Sequence, residues 1–285
     1  MEAVVYIIVF ILGSCIGSFL NVLVFRIPKH EGFVKGRSHC MSCGHELAWY
    51  DMFPVFSYIF LRGKCRYCGA KLSKQYPLIE ALNGILWCLV LEQYGISMMG
   101  ILTAALLSML IVLSVIDERT REIPPGINIF ILVLGIARVV SEFVAVAEDC
   151  HNSYSFFYET ILDEYSPFDD FFSQMITIRQ IIISHALGLV VVAGVLLLIL
   201  LISGGAAIGG GDVELMAAAG LFLGLRLTVV AFFLGCIVGA VIHLVRMAVF
   251  NAGRDLAMGP YLAVGIGFMA LYGSDILRAY VSLLS

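Results

Sequence analysis

Charge is scarce in this chain: Asp, Glu, Lys and Arg make up 13% of its 285 residues, about half the share of an ordinary soluble domain. With 61% of residues hydrophobic, a soluble enzyme is excluded, and so is a disordered chain, which lacks the apolar content to fold. The net charge of -4 comes without any long basic run to release counterions from phosphates, so nucleic acid is not a partner. No basic stretch precedes the first apolar run, where Glu2 is the only charge before Arg26. That run is therefore read as a retained span rather than a cleaved leader. HExxH is missing, which argues against an intramembrane metalloprotease. No GxGxxG follows a predicted strand either, so a dinucleotide-type cofactor fold has no support.

What the chain does have is hydrophobic runs long enough for a bilayer, which needs about 20 largely apolar residues per helix. Seven lie near 3–25, 77–94, 97–116, 126–146, 180–202, 227–249 and 260–282. A shorter Gly- and Ala-rich run at 213–225 suits the interior of a bundle, where small residues let helices pack closely. The expected fold is an all-α polytopic membrane protein of about eight spans.

Basic residues set the expected orientation. Nine of the 17 Lys and Arg lie between Arg26 and Lys74, opposed only by Glu31, Glu46 and Asp51. The positive-inside rule puts this segment in the cytoplasm. Residues 148–178 carry seven acids and no Lys or Arg, which marks an acidic exterior insert, and alternation of eight spans puts it there. Three parts follow: a first span at 1–25, a cytoplasmic four-cysteine segment at 26–76, and a membrane bundle at 77–285.

Of the eight cysteines, Cys15, Cys88, Cys150 and Cys236 stand alone, and a lone cysteine in an apolar span is mostly a small packed hydrophobe. The other four form Cys40-Met-Ser-Cys43 and Cys65-Arg-Tyr-Cys68, 21 residues apart, each followed by glycine (Gly44, Gly69). Two such knuckles have the spacing of a zinc ribbon, with four thiolates closing a tetrahedral Zn2+ shell and leaving no position for a reactive water. The alternative is two disulfides, which an oxidising compartment would favour. His39 and His45 flank the first knuckle and read as surface imidazoles. His185 and His243 read as hydrogen-bonded packing residues.

Ionisable groups near a bilayer are costly and mark function. Asp117 closes the third span in Leu113-Ser-Val-Ile-Asp117, and Asp212 opens the short span after Gly209, Gly210 and Gly211. The topology puts both at one face. Two carboxylates brought close share a proton, one drawing a proton from water while the other donates to a peptide carbonyl. Glycines beside them let a substrate backbone approach. The plainer reading gives Asp117 a loop-capping role and Asp212 a helix N-terminus.

At these residues the chain resembles the type IV prepilin peptidases, membrane aspartic endopeptidases with a GxGD signature in common with presenilin and signal peptide peptidase. Gly17-Ser-Phe-Leu-Asn21 with Arg26-Ile-Pro28 matches the family's first motif. The two knuckles, Tyr76-Pro-Leu-Ile-Glu80, Asp117 with Ile123-Pro124, Gly209 to Asp212, and Gly259-Pro260-Tyr261-Leu262-Ala263 follow in the family's order. The resemblance implies cleavage of the leader of prepilins and pseudopilins at the cytoplasmic face of the bacterial inner membrane. It also implies S-adenosylmethionine-dependent methylation of the new N-terminus, tied to the cysteine segment. Asp117 and Asp212 take the catalytic positions, and Glu80 is the candidate beside the methylated amine, its alternative being a dipole-favoured acid near a helix start. Glu214 stands where the family usually has Lys, and an acid there is expected to raise the pKa of the pair and move the pH optimum upward. Two other readings compete: a proton-relaying transporter or scaffold, weakened because no chain of acids crosses the bilayer, and a peptidase without methyltransfer, weakened by the double CxxC.

Overall fold

The computed structural model describes residues 2–32, 38–159, 167–205, 208–250 and 257–284, and among these every regular element is helical. In chain order they are α1 (Glu2–Arg26), α2 (Phe56–Phe60), α3 (Gln75–Tyr94), α4 (Met98–Thr120), α5 (Pro125–Glu159), α6 (Pro167–Ser203), α7 (Gly210–Leu223), α8 (Leu225–Phe250) and α9 (Gly259–Leu284). Pairing of extended chain is confined to isolated bridges, His39 with Glu46 and Lys64 with Lys71, one in each cysteine knuckle.

Among the described residues, six helices are long and apolar enough to cross a membrane: Ala3–Lys29, Met98–Thr120, Pro125–Ala147, Thr177–Ser203, Leu225–Val249 and Gly259–Tyr280. The count of eight drawn from the sequence exceeds this by α3 and α7, for two different reasons. Glu80, Asn83, Glu92 and Gln93 dilute the apolar run of α3. With 14 residues, α7 reaches only about 21 Å, short of a bilayer's hydrocarbon core of about 30 Å. Of the acidic insert, α5 runs in as far as Glu159 and α6 begins at Pro167. The link at 160–166 lies outside the described residues, as do the side chains across 148–176, Cys150 included.

Helix α4 is the central pillar. Its apolar window is 67% buried, against 22% for α1 and 17% for α5, so its neighbours face lipid on the side it does not cover. Ser97 caps its start by accepting the Gly100 amide at 3.1 Å, and Arg121 in the left-handed region closes its end. Around it pack α1, α3, α5 and α9, while α7 is held between α5 and α6. Without a hydrophobic drive between helices in lipid, small residues and buried polar links supply the association. Asn83 donates to Gly13 O at 2.7 Å, Ser108 donates to Asn83 Oδ1 at 2.8 Å, and the Trp87 indole donates to Ser108 at 3.1 Å, joining α1, α3 and α4.

The short helix α7 is fixed at its far end by ions. Arg138 Nε meets Glu142 Oε1 at 3.1 Å, and His185 sets Nε2 3.1 Å from Glu142 Oε2 and Nδ1 2.7 Å from the Leu221 carbonyl. Both ring nitrogens face oxygen atoms, so the ring ties Glu142 on α5 to the Leu221 carbonyl on α7. His185 is thus the hydrogen-bonded packing residue that the sequence suggested. Beside it Gly188 and Gly220 touch backbone to backbone, and a Cβ on either would run into the other's carbonyl.

Substituting Gly220→Val should push α6 and α7 apart and cost about 1–3 kcal/mol. The measurement is thermal unfolding of the detergent-purified protein, with a midpoint clearly below that of the parent chain.

Candidate active site and four-cysteine centre

Asp117 ends the central pillar and is 5% exposed. Its Oδ2 accepts the Gly259 amide at 2.9 Å, at the start of α9. A Cβ at position 259 would come within 2.5 Å of that oxygen, so glycine is what lets the amide in. The Pro260 that follows has no amide to offer, and the Tyr261 and Leu262 amides both bond Met258 O at 3.1 Å, so Gly259 supplies the first-turn amide that reaches Asp117. The Gly-Pro pair that opens the helix is the sequence signal for this contact.

Asp212 stands in the first turn of α7, half-buried, where the helix dipole favours an acid. Burial and then the charge of Asp117 push its carboxyl up to about 6, against the opposing pull of the Gly209 amide. The charge of Asp117 therefore reaches Asp212, 95 positions away in the chain, at the same end of the bundle. Gly211 packs on Ile123, whose side chain would be 2.8 Å from an added Cβ, whereas an added Cβ at Gly210 meets nothing within 4 Å. The turn after α4 thus touches the glycine run directly.

Glu214 is exposed and turns away from the pair. Asn128 on α5 donates to Glu214 Oε2 at 3.2 Å and to Gly211 O at 3.4 Å. Residues two apart on a helix do not share a face, and the influences on Asp212 are burial, Asp117 and the Gly209 amide. The expected upward push from Glu214 is not among them. Asn128 was missed from sequence because a lone asparagine in an apolar span carries no signal of its own.

The four knuckle cysteines converge. Their sulfurs all lie within 4.8 Å of one another, and they form a group of four with no other His, Asp or Glu among the described residues. Cys40 Sγ and Cys68 Sγ are 3.9 Å apart, close to the roughly 3.8 Å edge of a tetrahedron with 2.3 Å metal–sulfur bonds and far beyond a disulfide bond. All four thiols are free. The two knuckles repeat one geometry: Cys40 and Cys65 donate their amides to His45 O and Ala70 O, and accept from Gly44 N and Gly69 N at their own carbonyls. Gly44 and Gly69 hold φ of 71° and 70°, which glycine adopts without strain. Amides of Cys43 and Ser42 hold the Cys40 thiol down at about 6, favouring the thiolate that a metal requires. The donor set fits a closed thiolate site. His45 stacks on Tyr67 with ring centres 3.6 Å apart, and both it and His39 are exposed, as surface imidazoles.

Glu80 is buried on α3 and lines a cavity of about 420 Å³ between α1, α3 and the cysteine segment. Asn21, Tyr76, Cys40, Cys65 and Arg66 share that wall. Its Oε2 accepts the Val55 amide at 2.8 Å, and Ser18 also donates to it. Asn21 donates to Gly17 O and Tyr76 O, while its Oδ1 has no partner. Glu80 and the catalytic candidates do not share a site: one lies among the cysteine segment, the others where α4, α7 and α9 meet.

Two family models match the chain. The bacterial peptidase A24 N-terminal domain covers residues 11–94, which hold both knuckles and Glu80. The type IV leader peptidase family covers residues 171–244, which hold Asp212. Proteins called prepilin leader peptidase/N-methyltransferase are similar to it. One from Myxococcus xanthus is 40% identical over 128 residues, covering 45% of this chain and 38% of its own length. One from Xanthomonas campestris pv. campestris is 28% identical over 297 residues, 95% of this chain and 92% of its own. One from Bacillus subtilis is 28% identical over 282 residues, 97% and 98% respectively. No solved structure matches the chain.

The cysteine geometry carries its own test. The purified protein is expected to hold a single thiolate-bound divalent metal per chain by elemental analysis, and Co2+ exchange should give the intense absorption of tetrahedral thiolate ligation. Cys40→Ser should lose both.

Proposed function

Because the chain belongs to the type IV leader peptidase family, we propose that it is a membrane aspartic endopeptidase that removes the leader of type IV prepilins and pseudopilins and then methylates the new N-terminus with S-adenosylmethionine. The single observation that carries the peptidase half is the gathering of Asp117 and Asp212 at one end of the helical bundle, where Ile123 after α4 packs on Gly211 beside Asp212 and the charge of Asp117 raises the Asp212 carboxyl.

The chemistry follows from sharing one proton. Gly259 donates to Asp117 Oδ2, and a hydrogen bond to the charged form favours it, so Asp117 is the carboxylate that takes a proton from water. Asp212 keeps its proton to higher pH and donates to the carbonyl oxygen of the scissile peptide. Water attacks the carbonyl carbon; as the tetrahedral diol collapses, the leaving amine takes the proton held by Asp117 and one diol hydroxyl returns its proton to Asp212, which restores the starting pair. Gly209, Gly210 and Gly211 position an extended substrate backbone, Gly210 offering the open space a strand needs. A scissile bond just ahead of a hydrophobic helix reaches such a site at a membrane boundary.

Methyltransfer belongs to the cavity beside the cysteine segment. Its volume falls in the range of small-molecule sites. S-adenosylmethionine, when bound, supplies the methyl group to the free amine; Glu80 offers the carboxylate wall against which a cation is held. Cys40, Cys43, Cys65 and Cys68 hold a structural Zn2+ that folds this segment. The cavity and the full set of knuckle cysteines favour the bifunctional reading over a peptidase alone. The polypeptide divides into the first span at 1–25, the zinc-ribbon-like segment at 26–76, and the peptidase bundle at 77–285. Eight membrane passes, counting α3 and α7 as partners inside the bundle, put the basic segment and both aspartates on the cytoplasmic face of the inner membrane and the acidic insert at 148–178 outside.

Incubating the reconstituted protein with a prepilin and labelled S-adenosylmethionine separates the two halves. Asp117→Asn and Asp212→Asn should each abolish cutting, by at least about 10³-fold given what loss of an acid–base partner removes, while precut substrate is still labelled. Glu80→Gln should do the reverse, retaining cleavage and losing label. Loss of both activities in every variant, with the fold intact, would remove the two-site assignment.

A further inference from the structure

The segment between α1 and α3 carries an apolar face that nothing among the described residues covers. Trp49 is 77% exposed, Ile59 63% and Phe60 81%, with Phe53 and Phe56 also exposed. Helix α2 is two-faced: Ser57 and Tyr58 turn inward to the cavity wall, and Phe56, Ile59 and Phe60 turn out. A water-facing loop has no reason to hold this many large side chains outward.

The depth of the segment says what covers them. Val55, which opens α2, donates its amide to Glu80 at 2.8 Å. Glu80 in turn packs on α1 at Gly17, where an added Cβ would lie 2.7 Å from Glu80 Cα. Gly17 is nine residues before the end of α1 at Arg26, about 13 Å along the helix axis. The chain that leaves α1 at Arg26 therefore turns back and bonds the side chain of a residue whose Cα lies about 13 Å below the point where it left. At 25 residues, α1 is about 37 Å long, so the overhang beyond a core of about 30 Å is only a few ångströms at each end. Val55 is thus level with lipid chains rather than with water.

Two further features agree with that depth. Irregular backbone at this level needs every polar group satisfied within the protein, and the buried Glu80 carboxylate satisfies the Val55 amide. Val55 also holds φ 60°, which a β-branched residue adopts only when its surroundings compel it. Exposed Lys29, Arg62, Lys64, Lys71 and Lys74 belong to the same segment, the arrangement of basic groups and aromatics found where proteins meet phospholipid headgroups.

We propose that residues 49–60 form a re-entrant anchor whose aromatic face inserts into the lipid leaflet at which α1 ends. The anchor places the cavity lined by Glu80 at the depth of the bilayer surface, where a hydrophobic helix with a free N-terminus would lie. The inference rests on α1 being a membrane span and stands apart from the peptidase assignment.

Trp49 is one of two tryptophans in the chain, so Trp87→Phe leaves it as the sole reporter. In vesicles of phosphatidylcholine and phosphatidylglycerol, Trp49 emission should be quenched several-fold more by chain-brominated lipids than by aqueous iodide. Replacing Ile59 and Phe60 with serine should reverse that preference while cleavage is retained. As an independent measurement in the otherwise unaltered chain, a photoreactive benzophenone side chain at position 60 should yield phospholipid adducts. Trp49 open to iodide and silent to brominated lipid, or photoadducts formed only with a second protein chain, would overturn the proposal.

Discussion

Two carboxyl groups withdrawn from water at the same end of a helical bundle cannot both be charged at low cost, and the rest of this structure serves to keep them there. Asp117 is delivered by the most buried helix and met by the Gly259 amide. Asp212 is delivered by a helix of only 14 residues, so its position depends on what holds that helix. The hold comes from both ends. Ile123 packs against Gly211 at the near end, and the Arg138–Glu142–His185 group with the Gly188–Gly220 contact secures the far end. The far-end cluster lies about 14 Å along α7 from Asp212, and it fixes the active-site acid by fixing the only helix that carries it.

A division of labour follows from this arrangement. The proposed hydrolytic pair needs an ionised and a protonated carboxyl at a boundary between lipid and water. The cavity proposed for methyltransfer needs a folded segment beside the same boundary, and of the hydrophobic side chains described in the 26–76 stretch only Cys40 and Cys65 are buried. A metal held by the four converging thiolates would supply the stability that a segment with so little core lacks. Glu80 links the two regions mechanically, since it belongs to α3, packs on α1, and holds the loop that bears α2.

The parts of the site written in local spacing were legible in the sequence. Two CxxC knuckles with trailing glycines define their own turn geometry, and the structure brings all four sulfurs together as that spacing implied. The acids at 117 and 212 stood out because charge at the edge of an apolar run is costly. What depended on how helices pack was not legible. The Gly259 amide, the Asn128 link to Glu214 and the His185 pairing with Glu142 all join residues far apart in the chain. Glu214 invited an electrostatic role from its position two residues after Asp212, but on a helix that step points elsewhere. Hydropathy and length single out six of the eight spans read from the sequence for a related reason: α3 turns Glu80 and Asn83 inward, and an average over its residues cannot tell an inward polar group from one facing lipid.

The coupling of the two acids is open to direct titration. With 13C-labelled aspartate in the reconstituted protein, the Asp212 carboxyl signal, assigned by its loss in Asp212→Asn, is expected to titrate near pH 6. Removing the neighbouring negative charge by Asp117→Asn should lower that midpoint toward the ordinary carboxylate range, because the acid form of Asp212 no longer relieves a repulsion. A midpoint that stays where it was would mean that the two carboxyls do not sense one another, and would contradict the shared-proton site.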